Sequence, residues 1–341
     1  MNAKPACRLA QYRLLGANMK RLLLAACAAW TTIAGAMAQT YPSQPITVIV
    51  PFPAGGPVDT LARILNEPMR ASLGQPVIVE NVSGAGGSIA VARVARAAPD
   101  GHTVILGNWT SYVGTPAIYP MQYDVRKDFE PVALVAISEL MIVGRKSFPA
   151  DDVRQLIAWL KANPDKATAG TIGVGSPSHV GGLHFQSLTG TRFQFVPYRG
   201  AAPALQDLIA GQIDLRFGAE GSQMLPYLRS GAAKAFAIMG DTRWIAAPDI
   251  PTIDEAGVPG LHLSFWQAFW APKATPKAVI DRLNAAVVAA LADPAVRARL
   301  IDLGQQIPSR EQQTPEALAA FHKAEIEKWW PIIKAAGIKA P

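Results

Sequence analysis

The sequence predicts an α/β protein built as two lobes, and three observations carry that expectation. Short β-branched runs end repeatedly in glycine-rich turns that open apolar-periodic helices, the rhythm of a parallel sheet whose ligands sit at the strands' carboxyl ends. At 341 residues, with 50% of them apolar and 17% charged, the chain can bury more than one core. Two long apolar runs, Pro131 to Gly144 and Leu263 to Ala271, are placed to carry the chain out of one lobe and back again, so that two crossover segments form a hinge. The expected division is residues 39–143 plus 264–341 for the first lobe and 144–263 for the second.

Residues 1–38 read as a secretory signal. Met19-Lys20-Arg21 precedes an apolar run from Leu22 to Ala36, and Ala36-Met37-Ala38 has the small-x-small pattern of a cleavage site before Gln39. Two start positions, Met1 and Met19, are compatible with it. The run is too short and too rich in alanine for a membrane span. Leu24-Ala25-Ala26-Cys27 resembles a lipoprotein box, a rival reading in which Cys27 tethers the mature chain. Counted from Met19, the apolar region ahead of it is very short, which favours soluble release. Cys7 and Cys27 are the only cysteines, so the mature chain is expected to have no disulfide, thiolate metal site or cysteine nucleophile. The segment also holds Lys4, Arg8, Arg13, Lys20 and Arg21 with no acid, and without these five the net charge falls from +7 to +2. No nucleic-acid footprint remains.

Taken in order, Val48 to Val50 is a strand that runs into Pro51-Phe52-Pro53-Ala54-Gly55-Gly56-Pro57, and Leu61, Ile64, Leu65 and Met69 set the face of the following helix. Gly55 and Gly56 permit a close approach, and Pro57 suits a first helical position whose neighbouring amides lack helical partners, a ready anion site. Pro68 is expected to kink or break this helix. Without a lysine the loop lacks the GK[ST] of a nucleotide P-loop, which points to a smaller anion. Val77 to Glu80 is a second strand, followed by a turn through Gly84-Ala85-Gly86-Gly87-Ser88 and an Ala/Val-rich helix. Thr103 to Gly107 is a third strand, ending in the loop Asn108-Trp109-Thr110-Ser111.

Asp151 or Asp152 caps a helix through Leu160, and Ala167 to Gly173 is the next strand. Gly173-Val174-Gly175-Ser176-Pro177-Ser178-His179 then repeats the opening device, with a capping serine, a first-turn proline and a helix through Leu188. Phe193 to Pro197 is a strand, Ala204 to Ala210 a helix, Gly211 to Phe217 a glycine stop and strand, and Ala233 to Met239 a further strand. After Leu263 to Ala271 the chain is helical, from Pro276 to Leu291, from Pro294, and from Pro315 to Trp330, and these helices are expected to pack on the first lobe.

Each chemical signal has a bland counterpart. Ile89 stands where the third glycine of a dinucleotide fingerprint would be, so the glycines around Gly86 read as a tight packing turn. Ser176, Ser178 and His179 lack the G-x-S-x-G spacing of a nucleophile elbow and read better as a helix cap. His179 and His184 are five residues apart, off the shared face that helical zinc ligands need. Asp59, in the first helical turn, is stabilised there with or without a ligand. Asp214, late in its strand, either faces a cleft or is a satisfied structural carboxylate. Arg199 either pairs with a carboxylate or fixes its loop. Phe265, Trp266, Phe269 and Trp270 read as core. Nothing joins paired carboxylates, a metal cluster and a nucleophile, so the pattern points to binding, with no metal and no cofactor.

Together these stretches carry a resemblance. Pro51-Phe52-Pro53-Ala54-Gly55-Gly56 with Asp59, Glu80-Asn81 with Gly84-Ala85-Gly86-Gly87, Pro99-Asp100-Gly101-His102-Thr103, Gly175-Ser176-Pro177-Ser178-His179, and Tyr198-Arg199-Gly200 with Pro203-Ala204, Asp207-Leu208 and Gly211 resemble the Bug-type (TctC-like) extracytoplasmic solute receptors of tripartite tricarboxylate transporters. The likeness runs in order over residues 41–341. It implies a type II periplasmic-binding-protein fold, a Venus flytrap closing on a small carboxylated solute without chemistry. Carried onto this chain, it implies a wall of Phe52, Ala54, Gly55, Asp59, Gly86 and the loop Asn108, Trp109, Thr110 and Ser111, facing Ser176, Ser178, His179 and Asp214. Trp109 departs from the small or polar residues of many relatives and suggests a flatter or aromatic acid. The implied partners are a di- or tricarboxylate, acidic amino acid or aromatic acid and the membrane permease that receives it; a monomer is expected. The alternatives are a secreted hydrolase or lyase using Ser178 or His179, and a sensor docking on a signalling partner.

Overall fold

The computed structural model describes residues 41–338, and the signal and lipoprotein readings of residues 1–38 lie outside them. The first strand, β1 (Ile46–Val50), is almost entirely buried, as a strand covered on both faces must be. Helix α1 (Pro57–Leu73) starts on a proline and buries Val58, Leu61, Ile64, Leu65, Met69 and Leu73. It runs through Pro68 without the expected break, because the buried residues on both sides of the proline stay on one face and outweigh the lost backbone bond. Gly74 ends it in the left-handed region, φ 75°, with its amide donating to the Arg70 carbonyl at 2.9 Å.

Strand β2 (Val77–Asn81) lies parallel to β1 on one side, and β3 (Thr103–Asn108) parallel on the other, with α2 (Ser88–Ala95) between them in sequence. The residues expected to form a loop after β3 are helical instead. From Trp109 the backbone enters a π-helical turn, Thr110–Gly114, that continues into α3 (Thr115–Ile118). Asn108 starts it: its Oδ1 accepts the Ser111 amide at 3.1 Å, a local cap that turns strand directly into helix.

The chain continues through the 17-residue β4 (Phe129–Arg145), α4 (Val153–Ala162), β5 (Thr168–Thr171), α5 (Pro177–Thr189), β6 (Gln194–Pro197), α6 (Ala201–Ile209) and β7 (Leu215–Glu220). Then follow α7 (Gly221–Arg229), β8 (Ala233–Ile238), β9 (Ser264–Pro272), α8 (Lys277–Ala292), α9 (Pro294–Asp302), the two-residue β10 (Gln305–Gln306) and α10 (Pro315–Ala335). Asp152, not Asp151, caps α4 by accepting the Gln155 amide. The sequence reading omitted α7 and β10. It also began β7 too early: Gly211 to Asp214 form the turn before the strand.

The strands are ordered β2-β1-β3-β9-β4-β7-β5-β6, with β8 and β10 also paired to β4. Two parallel trios, β2-β1-β3 and β6-β5-β7, are thus joined through antiparallel β9 and β4. Residues Phe129 to Glu139 of β4 pair with β9, and its remaining length pairs with β7 and β8. Both parallel trios point their carboxyl ends into strand-to-helix turns, which is where a site belongs. Helix α8 lies against α1, where Arg282 donates to the Ser72 carbonyl. Helix α10 covers an aromatic cluster in which Tyr112 stacks on Trp270 at 4.7 Å and His322 packs edge-on to both. Among the described residues no helix is long and apolar enough to cross a membrane.

Candidate functional site

The turn from β5 into α5 is built by two serines. Ser176 caps α5, accepting the His179 amide at 3.4 Å, and donates its hydroxyl to the Gly173 carbonyl at 2.7 Å. With that proton spent, the 3.0 Å contact between the Ser176 and Ser178 hydroxyls has Ser178 donating. Ser178 also accepts the Ile172 amide at 3.0 Å. Both hydroxyls therefore brace the turn. The amide of Gly175 donates to His179 Nδ1 at 3.3 Å, which places the ring proton on Nε2, and burial lowers the His179 pKa so that the ring stays neutral. Among the described residues the amides of Gly173, Val174 and Ser178 meet no acceptor, and with the start of α5 they make a neutral anion cradle.

The turn after β1 is held differently. Asp59, 2% exposed, reaches back four residues: its Oδ2 accepts the Gly55 amide at 2.8 Å and Arg63 Nε at 2.9 Å, and its Oδ1 accepts Asn81 Nδ2 at 3.0 Å. Asn81 also donates to the Phe52 carbonyl, so the carboxylate ties the turn to β2. The Arg63 hydrogen bond, followed by those from Gly55 and Asn81, holds the Asp59 carboxyl below its ordinary range against the opposing effect of burial. Gly55 thus has no free amide to offer. The amides of Val58 and Asp59 meet no acceptor among the described residues. Ala54 and Gly55 are exposed and Phe52 is half-buried.

Three segments converge beside that turn. A Cβ on Gly87 would lie 3.1 Å from both Pro51 Cβ and Ser111 Cβ and 3.7 Å from the Phe52 ring. Gly86, at φ +63°, accepts a hydrogen bond from Thr115 Oγ1 at 3.0 Å on its carbonyl, and a side chain there would strike the same hydroxyl at 2.5 Å. Asn108 and Ser111 satisfy each other, and Thr110 is half-buried. These segments meet the α5 turn directly: a Cβ on Gly114 would stand 2.3 Å from the Gly175 carbonyl, and one on Gly175 would stand 2.4 Å from Ile118 Cδ1. The turn after β7 adds Gly218, whose Cβ would touch Pro177 and the Ser178 amide at 3.2 Å. A separate open hollow of about 330 Å³, bordered by Glu139, Asp241, His262, Glu325 and Lys328, is lined by none of the expected ligand residues.

Over residues 61–338 the sequence matches the model of the tripartite tricarboxylate transporter family receptor, TctC. It is 35% identical to BugT of Bordetella pertussis, with 94% of this chain and 99% of that protein aligned. The chain belongs to the TctC receptor family. Its fold superposes on MatC of Rhodopseudomonas palustris with bound malate (TM-score 0.77, 39% identity, 86% of this chain and 100% of that one). It also matches the periplasmic binding protein BugD (0.76, 38%, 88% and 99%). A second R. palustris protein, solved with adipate, matches at 0.77 with 32% identity over 88% and 99% of the chains. The expected two-lobed α/β periplasmic-binding-protein fold is thereby established, and TctC proteins are receptors of transporters, not enzymes.

In this TctC receptor two expected site residues stand elsewhere. Asp214 pairs with Arg145 at 2.7 Å and accepts the Thr168 amide at 2.9 Å, so it closes the amino end of β5, opposite the end that carries Ser176. It is a satisfied structural carboxylate. Trp109 is fully buried, edge-on to Trp329 at 5.8 Å and beneath Gly114, where it fills space between helices, so its bulk does not bear on ligand size. The catalytic alternative fails on geometry as well, because His179 Nδ1 is engaged by Gly175 and both serine hydroxyls are committed within the turn. The sequence reading passed over Arg216, a fully buried cation between the buried Leu215 and Phe217 of β7. Its signal was a charge at a position where charges are rarely buried unpaired.

Proposed function

We propose that this receptor is a periplasmic protein that captures a small organic carboxylate between its two lobes and delivers it to the membrane permease of a tripartite tricarboxylate transporter. The lobes are residues 39–143 with 264–341, and residues 144–263. The observation that carries the reading is the meeting of Gly114 and Ile118 with Gly175, which brings the turns of the β1 trio onto the amide-lined start of α5. Unengaged amides of Val58 and Asp59 from one side, and of Gly173, Val174 and Ser178 from the other, supply donors for one carboxylate group. Phe52, Gly86 and Ser111 shape the first wall; Ser176 and His179 position the second. Ligands bridging both walls favour the closed arrangement over the open one. Relatives solved with malate and adipate support an organic acid as the ligand class.

Calorimetry on the purified mature chain tests this, using a panel of malate, succinate, adipate, citrate, glutamate and benzoate with a neutral sugar as control. Binding of at least one acid and not of the sugar is expected. A panel in which only the sugar binds would overturn the reading.

A further inference from the structure

Arg216 is 2% exposed, and its Nε and Nη1 are sealed from solvent without a hydrogen-bond acceptor. No carboxylate among the described residues lies within ion-pair distance of it. A guanidinium carries its donors in a fixed fork, and native interiors rarely leave such a group unpaired. Its place in the fold is specific. Strand β7 runs parallel to β5, and two residues beyond Arg216 the chain reaches Gly218, in contact with the Ser178 amide position. The Arg216 stem passes the spot on β5 where a Gly170 Cβ would sit, 3.6 Å from Arg216 Cγ and 3.4 Å from the Tyr198 ring. Arg216 therefore shares a sheet face with Tyr198, whose own turn leads to α6, a helix that starts at Gly200 without a side-chain cap.

We propose that Arg216 is a specificity-determining residue of the ligand site, receiving an acidic group at the end of the ligand remote from the α5 turn. The inference rests on the carboxylate-receptor reading and deepens it. A second carboxylate would complete the guanidinium fork with two parallel charge-assisted bonds, and an uncharged tail would leave it unmet. Glu220, four residues along the strand, is the charge that Arg216 feels within the chain, and burial pushes the Glu220 pKa up to about 7. Burial of the Glu220 carboxyl makes it a weak counter-ion for the guanidinium.

Calorimetry with length-matched acids tests this: succinate against butyrate, glutarate against valerate, adipate against hexanoate. In the wild type at least one diacid should bind about tenfold to a hundredfold more tightly than its monoacid, the scale of a charged hydrogen-bond pair. Arg216→Met should erase that gap by weakening the diacid alone, and Arg216→Lys should restore part of it. Glu220→Gln, which keeps the cation and removes its competitor, should tighten the diacid. Should Arg216 instead be a structural cation, Arg216→Met would lower the thermal midpoint of the free protein and weaken both acids alike, and that result overturns the assignment. Equal binding of diacid and monoacid by the wild type overturns it too while leaving the receptor reading intact. Failure of all six acids overturns the assignment too, while the receptor reading is decided by the wider panel.

Discussion

Gly114 and Gly175 approach so closely that a single methyl group on the first would lie 2.3 Å from the carbonyl oxygen of the second. Gly114 has an ordinary helical backbone, φ −68°, so its lack of a side chain serves the contact and not the conformation. The obstacle is backbone, which cannot rotate aside as a flexible side chain could.

Gly114→Ala should therefore hold the two segments apart. Carboxylate affinity is expected to fall at least about tenfold, and X-ray scattering with saturating acid should give a larger radius of gyration than the wild type. The same methyl would crowd the Trp109 ring at 2.8 Å, so some loss of stability, about 1–3 kcal/mol for an overpacked site, accompanies it. Wild-type affinity in a folded variant would show that the contact plays no part in binding.

Asp59→Asn should loosen the first turn, since an amide cannot accept from Gly55, Arg63 and Asn81 as the carboxylate does. The expected cost at neutral pH is about 1–3 kcal/mol in urea unfolding. The folded-state pKa of Asp59 is depressed, so its contribution is complete above the unfolded value and disappears as pH falls through the folded one. Variant and wild type should thus converge in strongly acidic solution. A stability gap that does not change with pH would contradict the assignment.

Ser176→Ala and Ser178→Ala should each destabilise the start of α5 by about 1 kcal/mol, one through the lost cap and the other through the stranded Ile172 amide. The 3.0 Å bond between the two hydroxyls means that the double variant should cost less than the sum. Strict additivity in a double-mutant cycle would count against a shared brace.

His322 offers a second pH test, away from the site. It is 4% exposed, its ring Nε2 donates to the Tyr112 carbonyl at 3.0 Å, and burial pulls its pKa down to about 4. The unfolded chain takes up the proton first, near pH 6.5, so this stabilisation is present above that value and is lost as pH falls toward about 4. The full effect is about 3 kcal/mol. His322→Gln should flatten the slope of unfolding free energy across this window. An unchanged slope would place the titrating group elsewhere.

Much of this architecture is legible in the residues because glycine, proline and capping side chains mark where strands stop and helices start. Ser176 with Pro177, and Asp152 ahead of α4, are local signals, and the structure repeats them. The direction of a side chain and the state of each donor are not local. Nothing in the spacing around Gly55 reveals that Asp59 already holds its amide. Asp214 lies at the amino end of β5, away from Ser176, a matter of register with Thr168 forty-six residues away. Trp109 was expected in a loop because the Asn108 cap, which makes the segment helical, depends on a rotamer. Arg216 stands out fully only once its Nε and Nη1 are seen to meet no acceptor.

Strand β4 belongs to both halves of the sheet without a break, and its pairing with β7 and β8 slips register at Ile142. The two halves are consequently not beads on a string. Any opening must be absorbed as torsion in that strand and in neighbouring β9, concentrated where the ladder is already irregular. A join of that kind limits how far the two halves of the sheet can turn against each other.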